Sequence, residues 1–442
     1  MTIRRITFLT FLLVLGWELQ AQTTKVITYH DSLRTMVKEE YNIIGNDSSN
    51  ISGEYISYHE NGKKAVEGQY NSGLKFGACH EYYRDGSKLR TTHFEDGLRD
   101  GEVIAYGPAG QIVQKGIFRK DTLAGDLITY FESGKVRSTT HFVKGKPDGV
   151  IKEYFPDGDI KLEIYYSEGK WHGPTKEYYP GEKLKSEANY RNGILNGYFK
   201  TYYSNGQLDT ESQMLDGKKT GSFKSYDEKG QLILEGNYSN GVLHGDNRSF
   251  YHDGTLKHSY HYLNGTRTGE NITYHPGGQV KSKAQYSKQE QDAKIENFHQ
   301  SGALHLRQIY KDGNPFGEWK YYYPNGKLEK TENYVRGKLH GPLITYNQEQ
   351  VVIKEEQFQN GLMTAKAKEY DDQGQLVSET TYRLGKKTGL FQAYYPNGQV
   401  SLKGEYLKDQ QIGEWQSFDE EGRITNKTTY RRGQILKEEP QN

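Results

Sequence analysis

The sequence is dominated by a motif that recurs every 24 residues. Glycine returns at this interval from Gly53 to Gly413, and only Ala293 and Ala365 interrupt the series. When each repeat is numbered from this residue, position 6 is aromatic in all sixteen repeats and position 18 in fifteen, with Met214 as the exception. A period this strict predicts one supersecondary unit stacked many times, without insertions between the copies.

Turn residues inside each repeat indicate a β-hairpin. Seven repeats carry Asn-Gly or Asp-Gly at positions 9 and 10, a pair that tolerates positive φ and builds two-residue turns. Such a loop makes position 8 face position 11, so that paired positions always sum to 19. Glycines near positions 21 and 1 then supply the return turn to the next hairpin. The seven pairs are Asn61-Gly62, Asp85-Gly86, Asp157-Gly158, Asn205-Gly206, Asp253-Gly254, Asn325-Gly326 and Asn397-Gly398.

Two sets of residue pairs support this register. Position 4 should face position 15, and these positions hold opposite charges in several repeats, as cross-strand pairing requires. Position 3 should face position 16, and there bulky residues stand opposite glycine, as in Tyr55 with Gly68. The charge pairs are Lys152 with Glu163, Lys176 with Glu187, Lys200 with Glu211, Lys224 with Glu235, Lys368 with Glu379, and Glu296 with Arg307.

The register also divides the hairpin into two faces. Positions 3, 12 and 18 make an apolar face, and the opposite face carries the charge pairs and the aromatic residue of position 6. A single-layer sheet leaves its apolar face uncovered, so either the face curls to pack its own rows or a partner covers it. The exposed aromatic row is the candidate binding site, although ring stacking between neighbours would equally explain it. Its candidate residues are Tyr154, Tyr178, Tyr202, Tyr226, Tyr322 and Tyr394.

The N-terminus has the layout of a signal peptide. Arg4 and Arg5 precede an apolar run over residues 6–15, and a short polar stretch ends at Gln22. The run is about half the length that a membrane-spanning helix needs, so we expect an exported periplasmic or extracellular protein without a transmembrane segment. Of the 58 basic and 57 acidic residues in the chain, cleavage after Gln22 would leave 56 of each, a balance that does not favour nucleic acid.

The other segments of the chain are assigned by their position relative to the 24-residue repeat. Residues 23–52 are expected to form a degenerate capping repeat and a loop, because Tyr29 and Tyr41 are spaced like positions 6 and 18. Residues 53–436 are the sixteen repeats, and residues 437–442 are a polar tail that we expect to fray. Weak repeats around residues 287–293 and 347–351 lack turn glycines and are expected to be bends or irregular turns.

The repeats resemble the MORN family in its bacterial variant form. The best match runs from Gly317-Glu318-Trp319 through Asn325-Gly326 to His340-Gly341. The resemblance covers residues 53 to about 437, and it implies an elongated, single-layer antiparallel sheet of successive hairpins, a MORN-like solenoid. The family uses this fold for protein contacts, for scaffolding and in some cases for lipid association. Some bacterial members are antitoxin-like, which does not suit an exported chain.

Chemical sites are not predicted. Identical units in a row present the same groups repeatedly, whereas catalysis needs different groups that converge in a pocket, so we expect no enzyme and no cofactor. Cys79 occupies a position that other repeats fill with apolar residues, which favours a structural role. His258 and His261 form the one local histidine pair, and a metal site there is not expected. The basic stripe of position 4 faces glutamates, which favours structural pairing over an acidic-ligand track.

We therefore expect an exported, non-enzymatic scaffold that mediates protein–protein interaction or assembly in the cell envelope. Its partner would be an unknown protein or a second copy of the chain. The alternative is a carbohydrate or cell-wall binding module that uses the exposed tyrosine rows. A third reading, an antitoxin-like or lipid-associating protein, follows from the resemblance alone.

Overall fold

The computed structural model describes residues 23–45 and 47–441, and the expected signal peptide lies outside them. The described residues form 41 β-strands, and every pairing between strands is antiparallel. In this part of the chain there is no helix that is long and apolar enough to cross a membrane. The all-β hairpin fold expected from the sequence is confirmed.

The chain divides into two units, Met1–Leu195 and Asn196–Asn442. The strands of the first unit are β1 (Thr23–Tyr29), β2 (Val37–Ile44), β3 (Ile51–Tyr58), β4 (Lys64–Asn71), β5 (Leu74–Tyr82), β6 (Lys88–Glu95), β7 (Leu98–Tyr106), β8 (Ile112–Arg119), β9 (Thr122–Leu123), β10 (Gly125–Tyr130), β11 (Val136–Val143), β12 (Lys146–Pro147), β13 (Gly149–Tyr154), β14 (Ile160–Ser167), β15 (Lys170–Tyr178) and β16 (Leu184–Arg191).

The second unit takes in most of β17 and all the strands after it. These strands are β17 (Ile194–Tyr202), β18 (Leu208–Leu215), β19 (Lys218–Tyr226), β20 (Leu232–Ser239), β21 (Val242–Leu243), β22 (Gly245–Phe250), β23 (Leu256–Leu263), β24 (Thr266–Arg267), β25 (Gly269–Tyr274), β26 (Val280–Ser287), β27 (Asp292–Phe298), β28 (Leu304–Lys311), β29 (Asn314–Pro315), β30 (Gly317–Tyr322), β31 (Leu328–Val335), β32 (Lys338–Leu339), β33 (Gly341–Tyr346), β34 (Val352–Gln359), β35 (Leu362–Tyr370), β36 (Leu376–Arg383), β37 (Lys386–Tyr394), β38 (Val400–Leu407), β39 (Gln410–Phe418), β40 (Ile424–Arg431) and β41 (Gln434–Pro440).

The hairpin register matches the prediction over most of each repeat. Positions 1 to 5 pair with positions 18 to 14, as in Tyr55 with Gly68 and Lys152 with Glu163. Near the turn the register shifts by one residue, because Tyr58 at position 6 pairs with Lys64 at position 12. The shift leaves position 13 as a β-bulge, which the sequence did not reveal.

The first turn differs from the predicted two-residue loop. The His59 N–H donates to the carbonyl of Lys63 (2.8 Å), and the Gly62 N–H donates to the carbonyl of His59 (2.9 Å). Position 7 therefore faces position 11, and the prediction that position 8 does so was wrong. Gly62 has positive φ (79°), and the side chain of Asn61 instead accepts a hydrogen bond from the Lys63 N–H (3.2 Å). This is a three-residue loop with glycine in the left-handed position.

The return turn has the two-residue geometry that was predicted for the first turn. Ser72 (φ 50°) and Gly73 (φ 82°) both have positive φ, as type I′ turns require. Each return turn also bonds to the hairpin before it, since the Gly97 N–H donates to the carbonyl of Lys75, which follows the preceding return turn in β5 (2.9 Å). Each turn thus supports the next one along the sheet.

The two weak repeats behave differently. Lys288, Gln289 and Glu290 all have positive φ (45°, 56° and 68°), whereas the regular return turn has two such residues. The strand pairing that follows this turn also lacks a register shift. This turn is therefore irregular, as expected. Around Asn347 the expectation of an irregular turn was wrong. Gln350 takes the glycine conformation there (φ 71°), and the usual turn hydrogen bonds form.

The ends of the described chain are both strands. β1 and β2 make a hairpin in which Val26 pairs with Tyr41. Its loops are longer than those of the other repeats, since the Ile44 N–H reaches the carbonyl of Asn50 (3.0 Å). Residues 437–440, which we had assigned to the fraying tail, belong to β41 and pair with β40. The antiparallel pairing therefore continues to Pro440 at the end of β41.

Burial is concentrated in one central row of the apolar face, at positions 3 and 16. No side chain in the described residues is less than 2 % exposed, so the core is thin. Aromatic rings of position 18 lean over the row, as in Trp319 with Tyr334 at 4.6 Å between centroids. The rows of this face therefore cover one another. The buried apolar members of the row are Cys79, Ile164, Ala188, Ala284, Trp319, Leu343, Ala367 and Trp415.

Candidate binding surfaces

The predicted tyrosine row lies on the charged face, and its six members are half-buried rather than exposed. The hydroxyl of Tyr178 donates to Glu163 of the preceding hairpin (3.0 Å), and that of Tyr226 donates to Glu211 (3.1 Å). The expected exposure was wrong, and in these two repeats the tyrosine at position 6 reaches back to a carboxylate at position 15. The remaining members are Tyr154, Tyr202, Tyr322 and Tyr394.

These hydrogen bonds shift the pKa values of both the tyrosine and the glutamate. Burial raises the pKa of Tyr178 to about 12, and the bond to Glu163 adds to the shift. Burial also acts to raise the pKa of Glu163, but hydrogen bonds from Lys152 and Tyr178 outweigh it and hold this pKa below its ordinary value. The tyrosine therefore stays protonated and the glutamate charged. A tyrosine held in this way is a structural donor.

The charge pairs of positions 4 and 15 form a ladder across neighbouring strands. Lys152 pairs with Glu163 at 3.0 Å. Arg248 reaches Glu235 of the preceding hairpin at 3.4 Å, so a carboxylate at position 15 can serve cations on either side. In another repeat the ion pair to Glu379 comes from Lys366 (2.6 Å), although Lys368 holds the predicted backbone register.

The reversed pair also forms. Arg307 lies 2.9 Å from Glu296, in the register that the sequence predicted. Pairs this exposed contribute little individually to stability. They favour the observed register, because opposite charges stand directly across from each other in it.

A polar network lies on the apolar face, around Glu332. The hydroxyls of Tyr321 and Tyr334 both donate to one oxygen of Glu332 (2.8 Å each), and Lys330 pairs with the other oxygen (2.8 Å). Glu332 is 7 % exposed and stands at position 16, where several other repeats hold glycine, alanine or threonine. Its partners replace the water that a charged group loses on burial.

The structure reveals one surface that sequence reasoning missed. Aliphatic residues at positions 19 and 22 flank the return turns, and they are 41–54 % exposed. The first unit contributes Leu74, Leu98, Val143 and Ile194, and the second contributes Leu215, Val242, Leu263, Val335, Leu362 and Leu407. We call these residues, taken separately in each unit, the aliphatic margin. Its signal in the sequence was an aliphatic residue at position 19 or 22, in ten of the sixteen repeats.

In the margin of the second unit, three consecutive hairpins contribute a member each. Leu215 and Leu263 pair across their turns with Lys218 and Thr266. Val242, on the hairpin between them, packs against the return turn of the next hairpin at Gly265. Apolar side chains are thus repeated along the margin with polar neighbours between them.

The remaining candidate residues do not converge. His258 contacts the Tyr260 hydroxyl (3.0 Å), whereas His261 contacts Asp246 (2.7 Å), so the two histidines have different partners. Within residues 23–45 and 47–441 no three His, Cys, Asp or Glu side chains are grouped to hold a metal ion. Cys79 is 4 % exposed, and burial raises the pKa of its thiol. A protonated, buried thiol is a weak nucleophile.

Comparison with known proteins adds family information. The model of the MORN repeat variant matches residues 51–72, 147–168, 171–192, 195–216, 219–240, 267–288, 317–336, 363–383 and 387–408. No curated protein matches the chain. Among solved structures, the chain is similar to one in the TcdB2-TccC3 crystal structure, with 12% identity over 92% of this chain and 26% of that chain, and a TM-score of 0.15.

A chain in the Photorhabdus luminescens Tc holotoxin pore is similar at 10% identity, over 89% of this chain and 29% of that one, with a TM-score of 0.14. This chain thus spans about a quarter of the length of those chains. TM-scores this low mean that the backbones do not superpose as wholes, so nothing further follows from the likeness. The nine family matches and the hairpin register have a firmer meaning: the chain belongs to the MORN repeat proteins of the variant type.

Proposed function

We propose that the chain is an exported scaffold that binds a protein partner in the cell envelope through its aliphatic margin. The observation that carries the proposal is the exposure of that margin. Ten aliphatic side chains at two repeat positions remain 41–54 % exposed. Their burial would stabilise a fold whose core is thin, so their exposure calls for an explanation. Rows of exposed apolar residues with polar neighbours are typical of protein contact surfaces.

A protein partner suits the geometry better than a glycan. Sugar-stacking sites present an open aromatic ring, whereas the tyrosines of position 6 are half-buried. The hydroxyls of Tyr178 and Tyr226 are bonded to glutamates and are not free to bind a sugar. The margin, in contrast, offers aliphatic side chains that are 41–54 % exposed.

Two further parts of the proposal come from the sequence. Residues 1–22 have the pattern of a signal peptide, so we place the protein outside the cytoplasm and expect its mature form to begin at Thr23. We also propose that it is not an enzyme, because repeats present the same groups many times instead of different groups at one point. N-terminal sequencing of the protein recovered from the envelope tests the first part, and recovery with Met1 intact would contradict it.

Affinity capture from the native envelope extract tests partner binding. The wild type is compared with a margin variant, Leu215→Ser, Leu263→Ser and Leu407→Ser combined. The control changes the residues directly across the same turns, with Lys218→Ser, Thr266→Ser and Gln410→Ser combined. We expect one discrete protein with the wild type and the control, and its loss with the margin variant.

Soluble cell-wall glycans are added in a parallel capture. Binding that survives the glycans and depends on the margin supports the scaffold. Recovery of glycan alone, displaced by free sugar, would overturn the proposal and favour the carbohydrate module.

A further inference from the structure

The first strand of the described chain has an open edge of unusual composition. β1 pairs with β2, and in the described residues it has no partner on its other side. Its sequence, Thr-Thr-Lys-Val-Ile-Thr-Tyr, is rich in β-branched residues and holds a single charge. An open edge of this kind is a template for pairing with another strand.

The last described strand is protected by comparison. β41 carries Lys437, Glu438 and Glu439 and ends at Pro440. Charges and proline on an edge strand are the usual means of preventing further pairing, because charges must be desolvated and proline has no N–H to donate. The contrast between the two strands shows that edge protection is used in this chain and is missing from β1.

We infer that β1 pairs with β1 of a second copy of the chain. The inference rests on the proposed export, because cleavage after Gln22 would leave β1 next to the new N-terminus. A two-fold axis makes the two strands antiparallel, as are the other strand pairings of the described chain. With the axis at Val26, Thr24 faces Thr28 of the partner copy.

Charge favours a second copy as the occupant. In this register Lys25 faces Ile27 of the other copy, so the only charged side chain of the strand does not face a like charge. The ammonium of Lys25 already pairs with Glu40 of its own chain (3.1 Å). Ile27, 40 % exposed, is the residue that the second strand would cover.

Two substitutions at Ile27 test the pairing with opposite signs. Ile27→Lys places lysine opposite Lys25 of the other copy twice in the dimer, whereas Ile27→Glu places glutamate there. Within its own chain Ile27 faces Glu40, so the lysine variant gains an opposite charge and should fold at least as well. The matched control is Ile435→Lys, at an exposed isoleucine (57 %) on β41.

Sedimentation equilibrium would be measured on the chain that begins at Thr23 and on the full chain, over a range of concentrations. We expect the Thr23 chain to dimerise. Ile27→Lys should weaken the dimer about tenfold, because two like-charge pairs replace apolar contacts. Ile27→Glu meets Lys25 of the other copy but also Glu40 of its own chain, so it should weaken the dimer less than the lysine does, and Ile435→Lys should leave the dimer intact.

A monomer at all concentrations would overturn the inference, as would equal losses with lysine and glutamate at position 27. Capture of the envelope partner is measured in a separate experiment. A monomer that still captures the partner refutes the dimer alone, and a dimer that captures nothing refutes the scaffold alone.

Discussion

At the scale of the residue, a glycine shows how thin the core is. Gly404 lies in β38 without positive φ, so its backbone would accept other residues. A Cβ added at this position would overlap the indole of Trp415, which packs on the glycine from the next strand. The ring of Phe391 stacks on the same indole with centroids 5.5 Å apart. Glycine therefore provides the space that lets two large rings meet.

Gly404→Ala should destabilise the protein by about 1–3 kcal/mol, because the Trp415 ring has no room to move away. The measurement is chemical denaturation followed by tryptophan fluorescence. Gly68→Ala is the control, since the added carbon there would lie 3.2 Å from the Cys79 sulfur, a smaller neighbour. Equal effects at the two glycines would contradict this explanation.

Glu332 gives the protein a pH-dependent contribution to stability. Burial alone would raise the pKa of Glu332, but hydrogen bonds from Lys330, Tyr334 and Tyr321 outweigh it and lower the pKa below the ordinary value of 4.5. A carboxyl group with a lowered folded-state pKa stabilises the fold above its unfolded-state pKa. That stabilisation is lost as the pH falls through the folded-state value.

Glu332→Gln should therefore cost about 1–3 kcal/mol at neutral pH, because its buried donors lose their charged acceptor. The difference from the wild type should shrink as the pH falls below about 4.5, the ordinary carboxyl value. Thermal unfolding from pH 7 to pH 3 measures it. Glu421→Gln, in an exposed turn, is the control and should show no such difference. A constant gap at all pH values would refute the assignment.

The tyrosine row at position 6 shows what residue spacing can and cannot predict about a side chain. Aromatic periodicity correctly located Tyr178 on the charged face, but the distance from its hydroxyl to Glu163 depends on the stacking of neighbouring hairpins. That stacking is set by turn geometry that a single sequence does not reveal. The aliphatic margin was missed for the same reason, since exposure beside a turn is decided by the next turn along the sheet.

At the scale of the element, two errors in the sequence analysis cancelled. The first turn has one more loop residue than predicted, and the bulge at position 13 removes the resulting offset, so that Tyr55 still pairs with Gly68. Charge pairs tested the middle of the strands and could not detect either error. The return turn could have been assigned better, because Asn240-Gly241 is as good a type I′ pair as Asn61-Gly62.

Leu384 is the residue least suited to its turn. It has positive φ (52°) and is 73 % exposed, whereas Asn192, Asn240 and Asn264 occupy the same turn position elsewhere. Leu384→Asn should stabilise the protein by about 1 kcal/mol, because asparagine tolerates this conformation. Denaturant midpoints measure the gain. Leu362→Asn, at an exposed strand position without positive φ, should give none. A similar gain there would mean that removal of an exposed apolar side chain, and not the turn conformation, stabilises the protein.

At the scale of the whole molecule, stability comes from contacts between successive hairpins. Deletion of residues 221–244 joins Thr220 to Gly245 and so restores the order of repeat positions. We expect this variant to fold with a β-sheet circular dichroism spectrum and cooperative unfolding. Deletion of residues 222–244, one residue fewer, should be severely destabilising, because a one-residue slip moves side chains to the wrong face. Similar stability of the two variants would refute the importance of phase.

The cancelling loop and bulge have a consequence for how such a chain changes over generations. Because every block of 24 residues returns the strand to the same phase, recombination between copies can add or remove a block without turning any side chain to the other face. The number of hairpins is therefore free to drift, while the surface offered by each hairpin is inherited unchanged. Reach and recognition can then evolve separately, the first by gain or loss of blocks and the second by substitutions within them.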